Sequence, residues 1–141
     1  MRIITLIIWA TVLFVFTCVA NSGFWLTDET PYFHWSASDV VYQDVFKVKL
    51  ELSARFITQK IGHFIGFAIF VVLLFRFTRN AKRSIIISIL YAVFTEILQL
   101  YFGRDGRIMD VVIDSAGILL GIYLVRIKIR LNQLDLSKSK G

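Results

Sequence analysis

The stretch TEILQLYFGRDGRIMDVVIDSAG, residues 95–117, carries Glu96, Gln99, Arg104, Asp105, Arg107, Asp110 and Asp114 in a chain of 141 residues that is 57% hydrophobic. A charged side chain facing hydrocarbon costs about 2.5–3.5 kcal/mol even on lenient insertion scales, so these groups must face protein, water or a polar ligand. Around this stretch the chain carries four apolar segments: residues 3–20, 61–75, 84–102 and 111–125. The first has no charge over 18 residues, and the second has His63 as its one ionisable group. With 15% aromatic residues, a single proline and a mean hydropathy of +0.69, the chain reads as a small all-α membrane protein. About four transmembrane helices are expected. The second and fourth segments are 15 residues each, short of the roughly 20 that span a bilayer, unless their ends extend or Lys60, Arg76 and Arg126 snorkel.

We divide the chain into a first span (1–20), an outer connection (21–59), a three-helix membrane region (60–130) and a cytoplasmic tail (131–141). Arg2, the apolar run and Cys-Val-Ala before Asn21 resemble the order of a signal peptide. The run is longer than a usual signal-peptide core, so it reads as a retained span. In the connection, Val41, Val45, Val48, Leu52 and Phe56 repeat at helical spacing after Ser38 and Asp39, with Asp44, Lys47, Glu51 and Arg55 on other faces. This pattern predicts an amphipathic helix at the outer surface, lying at the lipid interface or covering the bundle. The ending LSKSKG is expected to fray.

The net charge of +6 is scattered over short polar gaps and forms no continuous basic patch, so nucleic acid is not an expected partner. Its distribution instead orients the chain. With the amino terminus inside, ten Lys and Arg fall on inner segments, led by RFTRNAKR (76–83), and six on outer ones. Both termini are therefore expected in the cytoplasm. Trp25, Tyr32, Phe33 and Trp35 would then form an outer aromatic belt, with His34 an interface residue. The single cysteine, Cys18, allows no intramolecular disulfide.

On this topology Glu96 and Gln99 share one face near the outer end of the third span. Asp110, Asp114, Gly117 and Gly121, at steps of four, three and four, form one stripe on the fourth. Lys60 and His63 stand at the outer end of the second span, where Gly62 and Gly66 would let a neighbour approach. Lys60, His63, Glu96, Gln99, Arg104, Asp110 and Asp114 thus project to one level. An ion-pair network with Lys60 or Arg104 clamping a carboxylate would fix helix register only. A working site would use the same groups chemically: His63 as general acid or base, its tautomer set by Glu96 or Asp110, with Arg104 stabilising negative charge. Lys60, Gln99, Arg104 and Asp114 are the candidate ligand-binding groups. A His with several carboxylates can hold a divalent metal, but the His-Glu-x-x-His spacing is missing, so neither a metal nor another cofactor is expected. The inner halves of the spans offer little beyond Ser84, Ser88 and Tyr91, so a transport path would need an oligomer. The pairs Gly62/Gly66 and Gly117/Gly121 fit either homo-oligomerisation or packing within one chain.

Over about residues 56–125 the chain resembles the VanZ-like family. The resemblance rests on KIGHF (60–64), EILQLYFGR (96–104) and RDGRIMDVVIDSAGILLG (104–121). The family's Lys-x-x-His-Phe matches Lys60, His63 and Phe64; its Glu-x-x-Gln matches Glu96 and Gln99; its Arg and the Asp six residues later match Arg104 and Asp110, followed by Asp114. Phe67 stands where many members carry Tyr. The resemblance implies a bacterial multi-pass membrane protein of the cell envelope, some members lowering susceptibility to teicoplanin-type glycopeptides. The expected partners are membrane lipids, lipid-linked cell-wall precursors or a glycopeptide antibiotic. A membrane-embedded hydrolase or transferase acting on a lipid-linked envelope substrate is the alternative.

Overall fold

The computed structural model describes residues 2–19, 30, 32–35, 54–102 and 108–138. It contains four helices: α1 (Arg2–Cys18), α2 (Ala54–Thr78), α3 (Ala81–Tyr101) and α4 (Ile108–Lys138). All regular structure among the described residues is helical, as the apolar runs require. Arg104, Arg107, Trp25 and nearly all of the expected amphipathic helix lie outside the described residues.

The helices alternate in direction. Trp9 Nε1 donates to Gly66 O at 3.0 Å, and Tyr91 Oη to Ala10 O at 2.7 Å, fastening α1 to both α2 and α3. A two-residue link reverses the chain between α2 and α3. Arg79 takes φ 55°, in the left-handed region, and its N–H donates to Phe75 O, closing α2. Asn80 then caps α3, its Oδ1 accepting from Arg83 N at 3.0 Å, a contact worth about 1 kcal/mol.

α2 and α4 run side by side in the same direction and pack most closely. A Cβ at Gly117 would collide with the backbone of Phe64, and one at Gly121 would lie 2.5 Å from Ala68 O. The glycine stripe on α4 therefore serves packing within the chain. At Gly66 an added Cβ would meet Leu13 of α1, whereas Gly62 has nothing within 4 Å. The expected close approach on α2 is thus made one turn deeper only.

Burial is distributed as in a protein dissolved in lipid. Leu13, Phe67, Phe70, Val71, Leu74, Ala92, Ile118 and Ile122 form the apolar core, but Ser84, Ser88, Thr95, Glu96 and Gln99 of α3 are buried too. On the same helix Ile87, Leu90, Phe94 and Ile97 are exposed. In water this would be an inside-out arrangement; in hydrocarbon it keeps these polar groups against protein. α2, α3 and α4 are each long and apolar enough to cross a membrane. α1, at 17 residues, is at the lower limit of spanning length.

The helices outrun the apolar segments that announce them. α4 has 31 residues and continues through Arg126, Lys128 and Arg130 to Lys138, into the ending expected to fray. Charge marks where a helix can leave hydrocarbon, and the backbone hydrogen bonds carry on past that point. Beside the ends of α1 and α3, Phe33 packs on Phe14 and Phe102, and Trp35 stacks on Tyr101 with ring centroids 5.4 Å apart. This short segment of the expected belt thus forms an aromatic cap on those two helix ends.

Candidate functional site

Three helices bring the polar groups together at the end of the bundle marked by the α2 and α4 amino termini and the α3 carboxyl terminus. α2 supplies Lys60 and His63 from successive turns, α3 supplies Glu96 and Gln99, and α4 supplies Asp110 and Asp114. His63 and Glu96 are each 5% exposed, Gln99 and Asp110 1%, and Asp114 0%. Six of the seven expected site residues converge; Arg104 lies outside the described residues.

The cluster has two linked parts. Nearer the helix ends, the Lys60 ammonium pairs with the Asp110 carboxylate and also lies 4.8 Å from the Phe56 ring centroid. One turn deeper, His63 Nδ1 is 3.2 Å from Asp114 Oδ1 and 3.9 Å from Glu96 Oε1. Gln99 Nε2 donates to Glu96 Oε1 at 2.8 Å, fixing that carboxylate from its own helix. Asp114 Oδ2 and His63 Nε2 are buried without a hydrogen-bond partner among the described residues.

Sequence reasoning assigned Glu96 or Asp110 to hold the His63 ring. The structure places Asp114 nearest to it, with Glu96 second, and gives Asp110 to Lys60. The cause is the parallel course of α2 and α4: Lys60 is one turn above His63 and Asp110 one turn above Asp114, so the pairs form in order. Lys60 is therefore engaged by a carboxylate, with its side chain 16% exposed.

Two neighbours escaped sequence reasoning as parts of this region. Thr95 is fully buried beside Glu96, its hydroxyl donating to Ala92 O at 2.9 Å. Cys18, also fully buried, directs its thiol toward Thr95 O at 3.9 Å, joining the end of α1 to this level. Neither carries a sequence signal, because a lone Thr or Cys in an apolar run is unremarkable until a polar neighbour is placed against it. Phe67 lies below the cluster against Phe70 and Tyr91, with an apolar ring where a hydroxyl would require a partner.

The donor atoms of His63, Glu96 and Asp114 all lie within 4.8 Å of one another. Chemically the arrangement offers an imidazole between two carboxylates, with a neutralised ion pair above it. This is a constellation able to bind a polar group or exchange a proton, shielded from lipid by three helices.

Comparison with known proteins agrees with this reading of the chain. Residues 2–129 match the VanZ/LLP1 family model, so the likeness extends through α1, well beyond the motif-bearing region. The chain is similar to the uncharacterized membrane protein YwnJ of Bacillus subtilis (strain 168), with 31% identity over 120 residues, covering 83% of this chain and 86% of the relative. No solved structure matches significantly. The order of Lys60, His63, Glu96, Gln99, Asp110 and Asp114 along three packed helices, together with a match over nearly the whole chain, leads to one identification: the chain belongs to the VanZ/LLP1 family of membrane proteins.

Proposed function

We propose that this protein acts at the cell envelope, with the polar cluster as its working site at head-group depth on the outer side of the membrane. The supporting observation is the burial of His63, Glu96, Gln99, Asp110 and Asp114 in one place within otherwise apolar helices. The excess of basic residues on the opposite segments supports the outward orientation. At that depth the cluster meets lipid head groups and lipid-linked cell-wall precursors. Lys60, partly exposed beside Asp110, is the described cation that an anionic head group would engage. The associated phenotype is lowered susceptibility to teicoplanin-type glycopeptides, whose lipophilic chain brings them to the same interface.

The test is expression in a susceptible Gram-positive host, comparing teicoplanin and vancomycin inhibitory concentrations with and without the chain. A rise for teicoplanin, weakened by Lys60→Gln at matched membrane levels, is expected. No change for either drug would remove glycopeptide protection and leave lipid substrates as the object of search.

A second reading, a hydrolase or transferase acting on a lipid-linked substrate, is favoured by the His63–Asp114 contact. If Nδ1–H donates to Asp114, Nε2 keeps its lone pair and can accept a proton from a nucleophile. Single-turnover assays with lipid-linked phosphates and amides would test it; turnover unchanged by His63→Gln would reject that role for the ring.

A further inference from the structure

We infer that His63, Glu96 and Asp114 form a three-ligand site for a divalent transition-metal ion of the Zn2+ or Mn2+ class. The inference goes beyond the envelope reading and concerns what the buried part of the cluster binds.

The geometry is the first reason. Ligand bonds of about 2.0–2.2 Å at tetrahedral or octahedral angles put neighbouring donor atoms about 2.8–3.6 Å apart. The Nδ1 to Asp114 Oδ1 separation is 3.2 Å and the Nδ1 to Glu96 Oε1 separation 3.9 Å, with all three donors inside 4.8 Å. Rotamer adjustments of under about 1 Å close such a set around one ion.

Asp114 is the second reason. It is fully buried, and its Oδ2 has no hydrogen-bond partner among the described residues. Lys60 is paired with Asp110, which leaves His63 as the ion-pair partner of Asp114 among the described residues. A buried carboxylate paired with one imidazole is an expensive arrangement, and a divalent ion would neutralise it directly.

The donor set indicates the class of ion. One imidazole nitrogen and two carboxylate oxygens suit zinc or manganese, whereas calcium takes six to eight oxygens. Three protein ligands leave a position open, as in sites where a metal holds water or substrate. The Gln99 amide on Glu96 is the kind of supporting contact that orients a metal-bound carboxylate. Ligation through Nδ1 places the ring proton on Nε2, so it excludes the dyad in which Nδ1–H donates to Asp114. Any activated water would then belong to the ion.

The test uses the full chain, untagged, purified in detergent and stripped with a chelator. Titration with Zn2+ and Mn2+, with Ca2+ as control, is expected to show uptake of one transition ion per chain and a rise in Tm without a calcium equivalent. His63→Gln and Asp114→Asn should abolish uptake, and Gln99→Leu should weaken it about tenfold by releasing Glu96. No saturable uptake by the wild-type chain, or uptake undiminished in folded ligand variants, would overturn the inference. Should both ligand variants fail to fold, Co2+ on the wild type decides. A visible ligand-field band saturating at one equivalent and displaced by Zn2+ supports the site; no such band overturns it. These readings require no antibiotic phenotype, so the metal site and the envelope role can fail separately.

Discussion

At one end of the bundle Lys60, His63, Glu96, Asp110 and Asp114 are drawn inward and touch one another across three helices. At the other, Arg2, Arg76 and Arg79 stand exposed around an open cavity of about 430 Å³, lined also by Thr5 and Leu73. The first group has been desolvated, so its members depend on their partners. The second keeps its water, so each arginine can change with little effect on the fold. The contrast separates charge left in contact with solvent from charge drawn into protein at one place.

Substitutions at the two ends should differ in graded steps. The largest loss should follow Asp110→Leu, which strands the Lys60 ammonium in a largely buried position; removing one partner of a buried ion pair costs about 3–5 kcal/mol. Adding Lys60→Met should recover much of it, and thermal unfolding in detergent would show whether it does. Gly121→Ala is next, at about 1–3 kcal/mol, because a Cβ there meets backbone as well as Val71. Equal Tm for this variant and wild type would contradict the close α2–α4 contact. Asn80→Ala should cost about 1 kcal/mol by uncapping α3. Arg76→Gln should stay within about 0.5 kcal/mol in the same assay. A large loss there would erase the distinction between the two ends.

Much of this contrast is legible in the chain itself. The apolar runs announce the helices, and the steps of four, three and four among Asp110, Asp114, Gly117 and Gly121 announce the face that α4 turns to α2. The partners are harder to read. Asp110 and Asp114 occupy one stripe, and only the vertical register of α2 against α4 decides which takes Lys60 and which takes His63. The glycines show the same limit: Gly62 and Gly66 look equivalent in sequence, yet α1 meets only the second. Metal-compatible spacing is invisible for a related reason. His63, Glu96 and Asp114 belong to three helices, so no local motif joins them.

The working role proposed for the buried cluster and a purely structural one differ in what a single substitution does. Glu96→Gln separates the two when it is measured twice, by membrane accumulation with thermal stability and by the teicoplanin inhibitory concentration of the host. With the protein stripped of metal by a chelator for the melting measurement, the variant is expected to accumulate and melt like the wild type while the protection is lost. Protection that falls only in proportion to accumulation would contradict the working role and reduce the cluster to a structural fastening.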